Sequence, residues 1–215
     1  MISCLLWDLD GTLTSSHVGI VRCIQYALER SQLHVPEEKD LLWCIGPPLS
    51  ESFAKLAPGN DPASLVALYR ERFATKGLFE NSLVPGVKDV LENMNGWRHF
   101  VATSKPEKYA REIISHFGLS KRFEQIYGSA MNGERSNKED LLKYLLASEG
   151  LDPRETLMIG DREHDVYGAT GAGLNCIGVL WGYGSEEELK TAGAKHIVPS
   201  PHDLALLLQE MAKNA

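Results

Sequence analysis

The chain has 215 residues, of which 43% are hydrophobic and 24% are charged, a composition typical of a folded globular protein. This length allows one domain, or one domain that carries a sizeable insertion. The net charge of −7 argues against a general binder of nucleic acid polymers, which would present a basic face. No apolar run approaches the length of a membrane-spanning helix, so we expect no membrane partner.

The cysteines lie in apolar segments and form no Cys-x-x-Cys pair, which indicates reduced core thiols rather than a disulfide framework. The first apolar run is interrupted by Asp8 and follows no basic segment, unlike a signal peptide. Both observations predict a cytoplasmic protein.

That first run predicts a buried β-strand, which ends in the sequence Asp8-Leu9-Asp10-Gly11-Thr12. Side chains alternate along a strand, so an extended chain would point Asp8 and Asp10 in the same direction. Two adjacent carboxylates repel, and burying them is costly unless a cation lies between them. A divalent cation meets that need, and Gly11 lets the backbone turn around it. Taken alone, the stretch is equally well explained as a polar turn.

Residues from about 15 to 80 show helical spacing and no convincing strand. The pattern predicts a helix over residues 37–44 and a helix C-cap at Gly77. After Pro85, short apolar runs alternate with helical segments, which predicts a parallel sheet covered on both faces. In such sheets ligands bind beyond the carboxyl ends of the strands, so the polar residues after each strand are the candidate site.

Two of these polar stretches are suited to bind an anion. Thr103-Ser104-Lys105-Pro106 places hydroxyls between a predicted strand and a predicted helix, although plain helix capping explains them as well. Ser136 and Glu139 have capping-box spacing, which puts Lys138 in the first turn of a helix. A cation is unfavourable there, so Lys138 needs an anionic partner unless it is a solvated surface lysine.

The last such stretch is Gly160-Asp161-Arg162-Glu163-His164-Asp165, directly after a predicted strand. Asp161 and Asp165 are four residues apart, so we expect them to share a helical face; a solvated turn is the alternative. Carboxylates from two strand ends can hold Mg²⁺, while hydroxyls and a lysine bind the remaining phosphate oxygens. The combination suits phosphoryl transfer, in which catalysis is mostly positioning and charge neutralisation.

The segment 182–187 imitates a dinucleotide-binding loop, because Gly182-Tyr183-Gly184 follows a predicted strand and opens a helix. It lacks the third glycine, and the acidic residues 186–188 would repel a pyrophosphate. Ser185 and Glu188 instead have capping-box spacing. We therefore expect no nucleotide cofactor at this loop.

Four motifs occur in a fixed order: DLDGT (8–12), TSKP (103–106), Lys138 and GDREHD (160–165). Together they resemble the haloacid dehalogenase superfamily, and most closely its phosphoglycolate phosphatase-like and bacterial 5′-nucleotidase-like branch. The resemblance implies an α/β fold, with a Rossmann-like three-layer core around a parallel sheet and an inserted all-helical cap. The core would comprise residues 1–14 and 81–215, and the cap residues 15–80.

The resemblance also implies roles for the matched residues. Asp8 would be the nucleophile, and Asp10 would protonate the leaving oxygen and later activate water. The cofactor would be Mg²⁺, held by Asp8, the Asp10 backbone carbonyl and Asp161, with Asp165 supporting these ligands. The phosphoryl group would be bound by Thr103, the Ser104 amide and Lys138.

The implied function is Mg²⁺-dependent hydrolysis of a small phosphomonoester, such as phosphoglycolate or a nucleoside 5′-monophosphate, through an aspartyl-phosphate. The alternatives are a sugar phosphomutase of the same superfamily and a non-catalytic module that binds a phosphorylated metabolite. Thr14-Ser15-Ser16 replaces a stretch that usually contains an aspartate, which leaves the substrate open. The sequence also leaves open the choice between monomer and dimer and any role of Arg162 or His164.

Overall fold

The computed structural model describes residues 2–94 and 96–213. The chain divides into two compact units, a first unit of Met1–Thr14 with Leu83–Ala215 and a second unit of Ser15–Ser82. That the first unit is a catalytic core and the second a cap stays a prediction.

The strands follow one another along the chain as short segments of two to nine residues. They are β1 (Cys4–Trp7), β2 (Thr14–Ser15), β3 (Ser82–Leu83), β4 (Arg98–Pro106), β5 (Gln125–Ser129), β6 (Thr156–Gly160), β7 (Asn175–Val179) and β8 (His196–Val198). Strands β2 and β3 pair with each other at the two places where the chain passes from one unit to the other.

The α-helices are α1 (His17–Arg30), α2 (Leu49–Leu56), α3 (Pro62–Arg72), α4 (Val87–Asn93), α5 (Glu107–His116), α6 (Lys138–Glu149), α7 (Glu163–Gly171), α8 (Glu186–Ala192) and α9 (Pro201–Lys213). Short 3-10 helices cover Glu38–Cys44, Ser120–Arg122 and Pro153–Glu155, and a π-helical turn covers Phe73–Gly77. Across the described residues, no helix combines the length and the apolar character needed to cross a lipid bilayer.

The remaining six strands form one parallel sheet in the order β5-β4-β1-β6-β7-β8, which confirms the predicted α/β fold. Trp7 at the end of β1 lies opposite Val101 of β4 and Ile159 of β6. The carboxyl ends of β1 and β6 therefore lie side by side next to the second half of β4, and the segments that leave them meet at one edge of the sheet.

One face of the sheet packs on α6, α7 and α8. Leu6 of β1, Phe100 of β4 and Met158 of β6 lie in a buried cluster with Leu142 of α6 and Val166 of α7. Burying each such side chain contributes roughly 1.5–3 kcal/mol. The core therefore fixes the sheet against α6 and α7, the two helices whose amino ends reach the carboxyl edge of the sheet.

The opposite face of β1 carries Trp7, which is fully buried. Its indole Nε1–H donates to His99 Nδ1 at 3.1 Å, and the other ring nitrogen of His99 lies 3.1 Å from the Met94 carbonyl oxygen. The polar edge of the indole is therefore satisfied within the core. Burial lowers the pKa of His99, as expected for an imidazole kept neutral.

The second unit is helical, as the spacing predicted, but one detail of the prediction is wrong. The helix predicted over residues 37–44 is present as a 3-10 helix over Glu38–Cys44. Gly77 is not a left-handed C-cap, because it lies inside the π-helical turn. Its lack of a side chain serves packing instead, since a β-carbon there would overlap Cys23 Sγ of α1.

The cysteines agree with the prediction of core thiols. Cys4, Cys23, Cys44 and Cys176 are all buried, and none of them forms a disulfide.

Gly19 of α1 is the counterpart of Gly77, because its own β-carbon would overlap the Gly77 carbonyl oxygen. We predict that Gly19→Ala lowers the free energy of unfolding by about 1–3 kcal/mol, since the overlap outweighs the better helix propensity of alanine. Urea titration followed by circular dichroism measures the change. Gly96→Ala is the control, because a β-carbon there has open space; equal losses in both variants would contradict the packing argument.

Candidate active site

Asp8 is the first residue after β1 and remains tied to the sheet. Its backbone N–H donates to the Ile159 carbonyl oxygen at 2.9 Å, which keeps it in register with β6. Its side chain is buried, and Oδ1 accepts a hydrogen bond from Lys138 Nζ at 2.8 Å. Burial raises the pKa of Asp8, against the lowering effect of the Lys138 charge. The structure thus presents a buried carboxylate at a fixed point of the sheet edge.

Lys138 is the first residue of α6, in the first turn as predicted, but the predicted cap is wrong by one residue. Asn137, not Ser136, precedes the helix, and its side-chain oxygen accepts from the backbone N–H groups of Glu139 and Asp140. Asn and Ser are equally good N-caps, so the sequence alone did not distinguish them. The shift leaves Lys138 at the very start of the helix.

The Lys138 ammonium group lies at the centre of the site. Its Nζ is 2.8 Å from Asp8 Oδ1, 2.7 Å from Asp165 Oδ1 and 2.9 Å from the Ala102 carbonyl oxygen of β4. These three acceptors match the three hydrogens of an ammonium group. Burial disfavours the charge, but the carboxylates of Asp165 and Asp8 outweigh it and raise the pKa of Lys138. The two acids are therefore the anionic partners that its helical position required.

Asp161 and Asp165 converge without the shared helical face that the spacing predicted. Asp161 directly follows Gly160 at the end of β6, whereas α7 begins only at Glu163, so that expectation is wrong. Asp165 lies in the first turn of α7, where its Oδ2 accepts from the Arg162 backbone N–H at 3.1 Å. Both carboxylates are buried. A strand end and a helix start, rather than one helix, bring them together.

Asp8, Asp161 and Asp165 each offer a carboxylate oxygen, and these oxygens all lie within 4.8 Å of one another. Burial, followed by the charges of Asp165 and Asp8, raises the pKa of Asp161 well above its usual range. Lys138 pairs with only two of these three buried acids, Asp8 and Asp165, so the cluster fits a hard divalent cation with oxygen ligands. Among the described residues, the Asp10 carboxylate is not part of this cluster, and the role of its backbone carbonyl stays a prediction.

Asp10 has a lysine of its own, which the sequence interpretation did not assign. Lys105 Nζ lies 2.7 Å from Asp10 Oδ2, and both side chains are largely buried. The other carboxylate oxygen of Asp10 is buried without a hydrogen-bond partner in the part of the chain that the structure describes. Lys105 belongs to the TSKP motif, but it lies in β4 and not in the first turn of a helix, so the reasoning applied to Lys138 does not extend to it.

The hydroxyl residues of the TSKP motif lie beside this pair. The prediction that the TSKP motif follows the strand is wrong. Strand β4 continues through Thr103, with a shift in register, to Pro106, which directly precedes α5. Thr103 is buried, and its Oγ1 accepts from the Lys105 backbone N–H at 3.2 Å. The Ser104 carbonyl oxygen accepts from the Ser129 hydroxyl at 2.9 Å. Phosphate binding by Thr103, Ser104 and Lys138 stays a prediction.

Comparison with known proteins gives consistent matches. A family model described as haloacid dehalogenase-like hydrolase matches residues 5–179. A 5′-nucleotidase of Pseudomonas aeruginosa is 44% identical, with 95% of this chain and 93% of that protein covered. A phosphoglycolate phosphatase of Yersinia pestis is 33% identical over 86% of this chain and 84% of that protein.

Two further matches concern activity and fold. The tyrosine-protein kinase PtkA of Mycobacterium bovis is 38% identical over 84% of this chain and 62% of that protein. The crystal structure of a predicted phosphatase from Clostridium acetobutylicum superposes with a TM-score of 0.94 at 38% identity, covering 98% of this chain and 100% of that one.

Lys138 holds two buried carboxylates, so its removal tests the electrostatics of the site. We predict that Lys138→Met lowers the free energy of unfolding by about 3–5 kcal/mol, because it leaves Asp8 and Asp165 without their cation. Lys143→Met in the same helix is the control, since this exposed lysine pairs with Glu139 at the surface and its loss costs under about 0.5 kcal/mol. Denaturant titration of both variants measures the two losses of stability. A Lys138→Met protein as stable as the control would refute the conclusion that Lys138 stabilises the buried carboxylates of Asp8 and Asp165.

Proposed function

The chain belongs to the haloacid dehalogenase-like hydrolase family, and from that premise we propose that it is a Mg²⁺-dependent phosphatase of small phosphomonoesters. The observation that carries the proposal is the buried cluster of Asp8, Asp161 and Asp165 at the carboxyl ends of β1 and β6, two of whose acids, Asp8 and Asp165, pair with Lys138. No other arrangement of acids in the described residues brings three carboxylates this close.

Asp8 is the proposed nucleophile. One of its carboxylate oxygens attacks phosphorus, the bond from phosphorus to the ester oxygen breaks, and an aspartyl-phosphate forms. Lys138 holds Asp8 Oδ1 at 2.8 Å, which restricts the rotation of the carboxylate before attack. The nucleophile therefore starts from a fixed orientation.

Asp10 is the proposed proton carrier. It donates a proton to the departing ester oxygen, which leaves as an alcohol, and then accepts a proton from the water that attacks the aspartyl-phosphate. The second step breaks the bond from phosphorus to Asp8 and releases inorganic phosphate. Lys105 holds Asp10 Oδ2 at 2.7 Å and so positions this group independently of Lys138.

The donor set of three carboxylates is suited to Mg²⁺, with Asp8 and Asp161 as ligands and Asp165 in support. When bound, the cation neutralises charge on the phosphoryl oxygens. Asp165 accepts from Lys138 and from the Arg162 amide, so both of its oxygens already have protein partners. That pairing supports its role as an orienting group.

The proposed substrates are nucleoside 5′-monophosphates and phosphoglycolate. The first is supported by the P. aeruginosa 5′-nucleotidase and the second by the Y. pestis phosphoglycolate phosphatase. We assign the reaction to the cytoplasm, because the buried thiols without disulfides fit a reducing compartment.

The first test is turnover of a panel of phosphorylated metabolites by the purified chain. We predict release of inorganic phosphate from at least one nucleoside 5′-monophosphate or from phosphoglycolate, with activity that chelator removes and Mg²⁺ restores. Products are also checked for isomerised sugar phosphates, which would instead indicate a phosphomutase. Binding without turnover across the panel would indicate a non-catalytic module.

The second test is Asp8→Asn, which keeps the shape of the side chain but removes the nucleophile. We predict a loss of kcat of at least about 1,000-fold with folding intact, and no trapped phosphoenzyme. Asp89→Asn is the control, because this exposed residue of α4 is outside the cluster. Wild-type turnover in Asp8→Asn would refute the covalent mechanism.

The similarity to PtkA raises a second activity, transfer of phosphate to protein tyrosine. Incubation with ATP labelled in its terminal phosphate and a tyrosine-containing protein distinguishes the kinase activity from the hydrolase activity. Label transferred to tyrosine supports the kinase, whereas unlabelled tyrosine, together with release of phosphate from a phosphomonoester in the first test, supports the hydrolase.

A further inference from the structure

A hydrogen bond joins the loop after β7 to the loop after β1, although these two strands are not neighbours in the sheet. Trp181 Nε1–H in the first loop donates to the Thr12 carbonyl oxygen in the second at 3.0 Å. Strand β6 lies between β1 and β7 in the sheet. The hydrogen bond therefore crosses the carboxyl end of β6, where Asp161 emerges.

Both loops also bind the Asp161 carboxylate. Tyr183 N–H, two residues after Trp181, donates to Asp161 Oδ2 at 2.7 Å. The Thr12 hydroxyl lies 3.4 Å from Asp161 Oδ1, a longer and weaker contact. Each oxygen of this buried acid is thus held by one of the two loops that Trp181 joins.

Three glycines let the loops approach Asp161 this closely. A β-carbon at Gly11 or at Gly182 would overlap the Asp161 side chain, and one at Gly184 would overlap the Asp161 carbonyl oxygen. The Gly-Tyr-Gly sequence, whose spacing imitates a nucleotide-binding loop, is therefore explained by close packing around an aspartate.

We propose that Trp181 is a positioning residue for the cation site. Its hydrogen bond to the Thr12 carbonyl oxygen, which we call the Trp181 strap, keeps the Tyr183 amide hydrogen-bonded to Asp161. The strap thereby fixes the orientation of Asp161, the proposed cation ligand. The part that concerns the cation rests on the proposed function. A partner that orients a ligand influences metal affinity without touching the metal. Trp181 acts one step further away, through Tyr183 and Thr12, so the effect is smaller than that of a direct partner.

The test compares Trp181→Phe, which keeps an aromatic ring but removes the N–H, with Trp97→Phe. Trp97 is also partly buried, but it precedes β4 at the opposite, amino-terminal edge of the sheet. The first measurement is hydrogen–deuterium exchange of the Tyr183 amide by NMR in the metal-free protein. We expect exchange in Trp181→Phe to be at least about tenfold faster than in wild type and in Trp97→Phe.

The second measurement is calorimetric titration with Mg²⁺ alone, without substrate. We expect Trp181→Phe to bind Mg²⁺ about three- to tenfold more weakly, as the loss of one net hydrogen bond implies, and Trp97→Phe to bind as wild type does. Trp181→Leu, which also removes the N–H that donates to the Thr12 carbonyl oxygen, supplies a second variant should Trp181→Phe not fold; it should weaken Mg²⁺ binding in the same range.

An unchanged exchange rate of the Tyr183 amide in Trp181→Phe would overturn the claim that the strap holds this amide on Asp161. Faster exchange with unchanged Mg²⁺ affinity would overturn its positioning role. A wild-type protein that binds no Mg²⁺ would overturn the proposed function and the cation part of this inference, while the exchange of Tyr183 would still show whether Trp181 holds the loop.

Discussion

The interaction on which the site depends is the one between a single buried lysine and the acids around it. Lys138 uses its ammonium hydrogens on Asp8, Asp165 and a carbonyl of β4, so one charge joins the end of β1, strand β4 and the start of α7. Asp161 completes the group and accepts from the Tyr183 amide instead of a lysine. An arrangement with more buried negative than positive charge is costly unless a further cation compensates it. That cost is the physical reason to expect a cation where these carboxylates meet.

The parallel sheet makes this convergence possible. Residues of β1, β4 and β6 lie in lateral register up to Trp7, so the three chain segments reach the same edge of the sheet together. The helices α6 and α7 pack on one face and begin at that same edge, which brings Lys138 and Asp165 to the strand ends. The buried apolar cluster between sheet and helices therefore maintains the distances within the site.

Much of the architecture was predictable, because the signals were periodic or chemically distinctive. Alternating strands and helices predicted the sheet, and acids directly after buried strands predicted the site region. The details that failed depended on choices between equivalent residues or on backbone groups. Asn137 and Ser136 cap equally well, Gly77 serves packing rather than a turn, and the Tyr183 amide has no side-chain signature at all. Lys105 was visible in the sequence, but its partner Asp10 is distant along the chain and only the fold brings them together.

The two aspartates of the DLDGT motif differ in their surroundings more than their spacing implies. Asp8 lies in the cluster of three carboxylates and is held by Lys138, whereas Asp10 lies outside that cluster and is held by Lys105. Two separate lysines orient two separate carboxylates, so a displacement of one acid does not have to displace the other. A nucleophile must keep its position while a proton carrier serves first the leaving group and then water. Independent support for each aspartate is compatible with the division of roles proposed for Asp8 and Asp10.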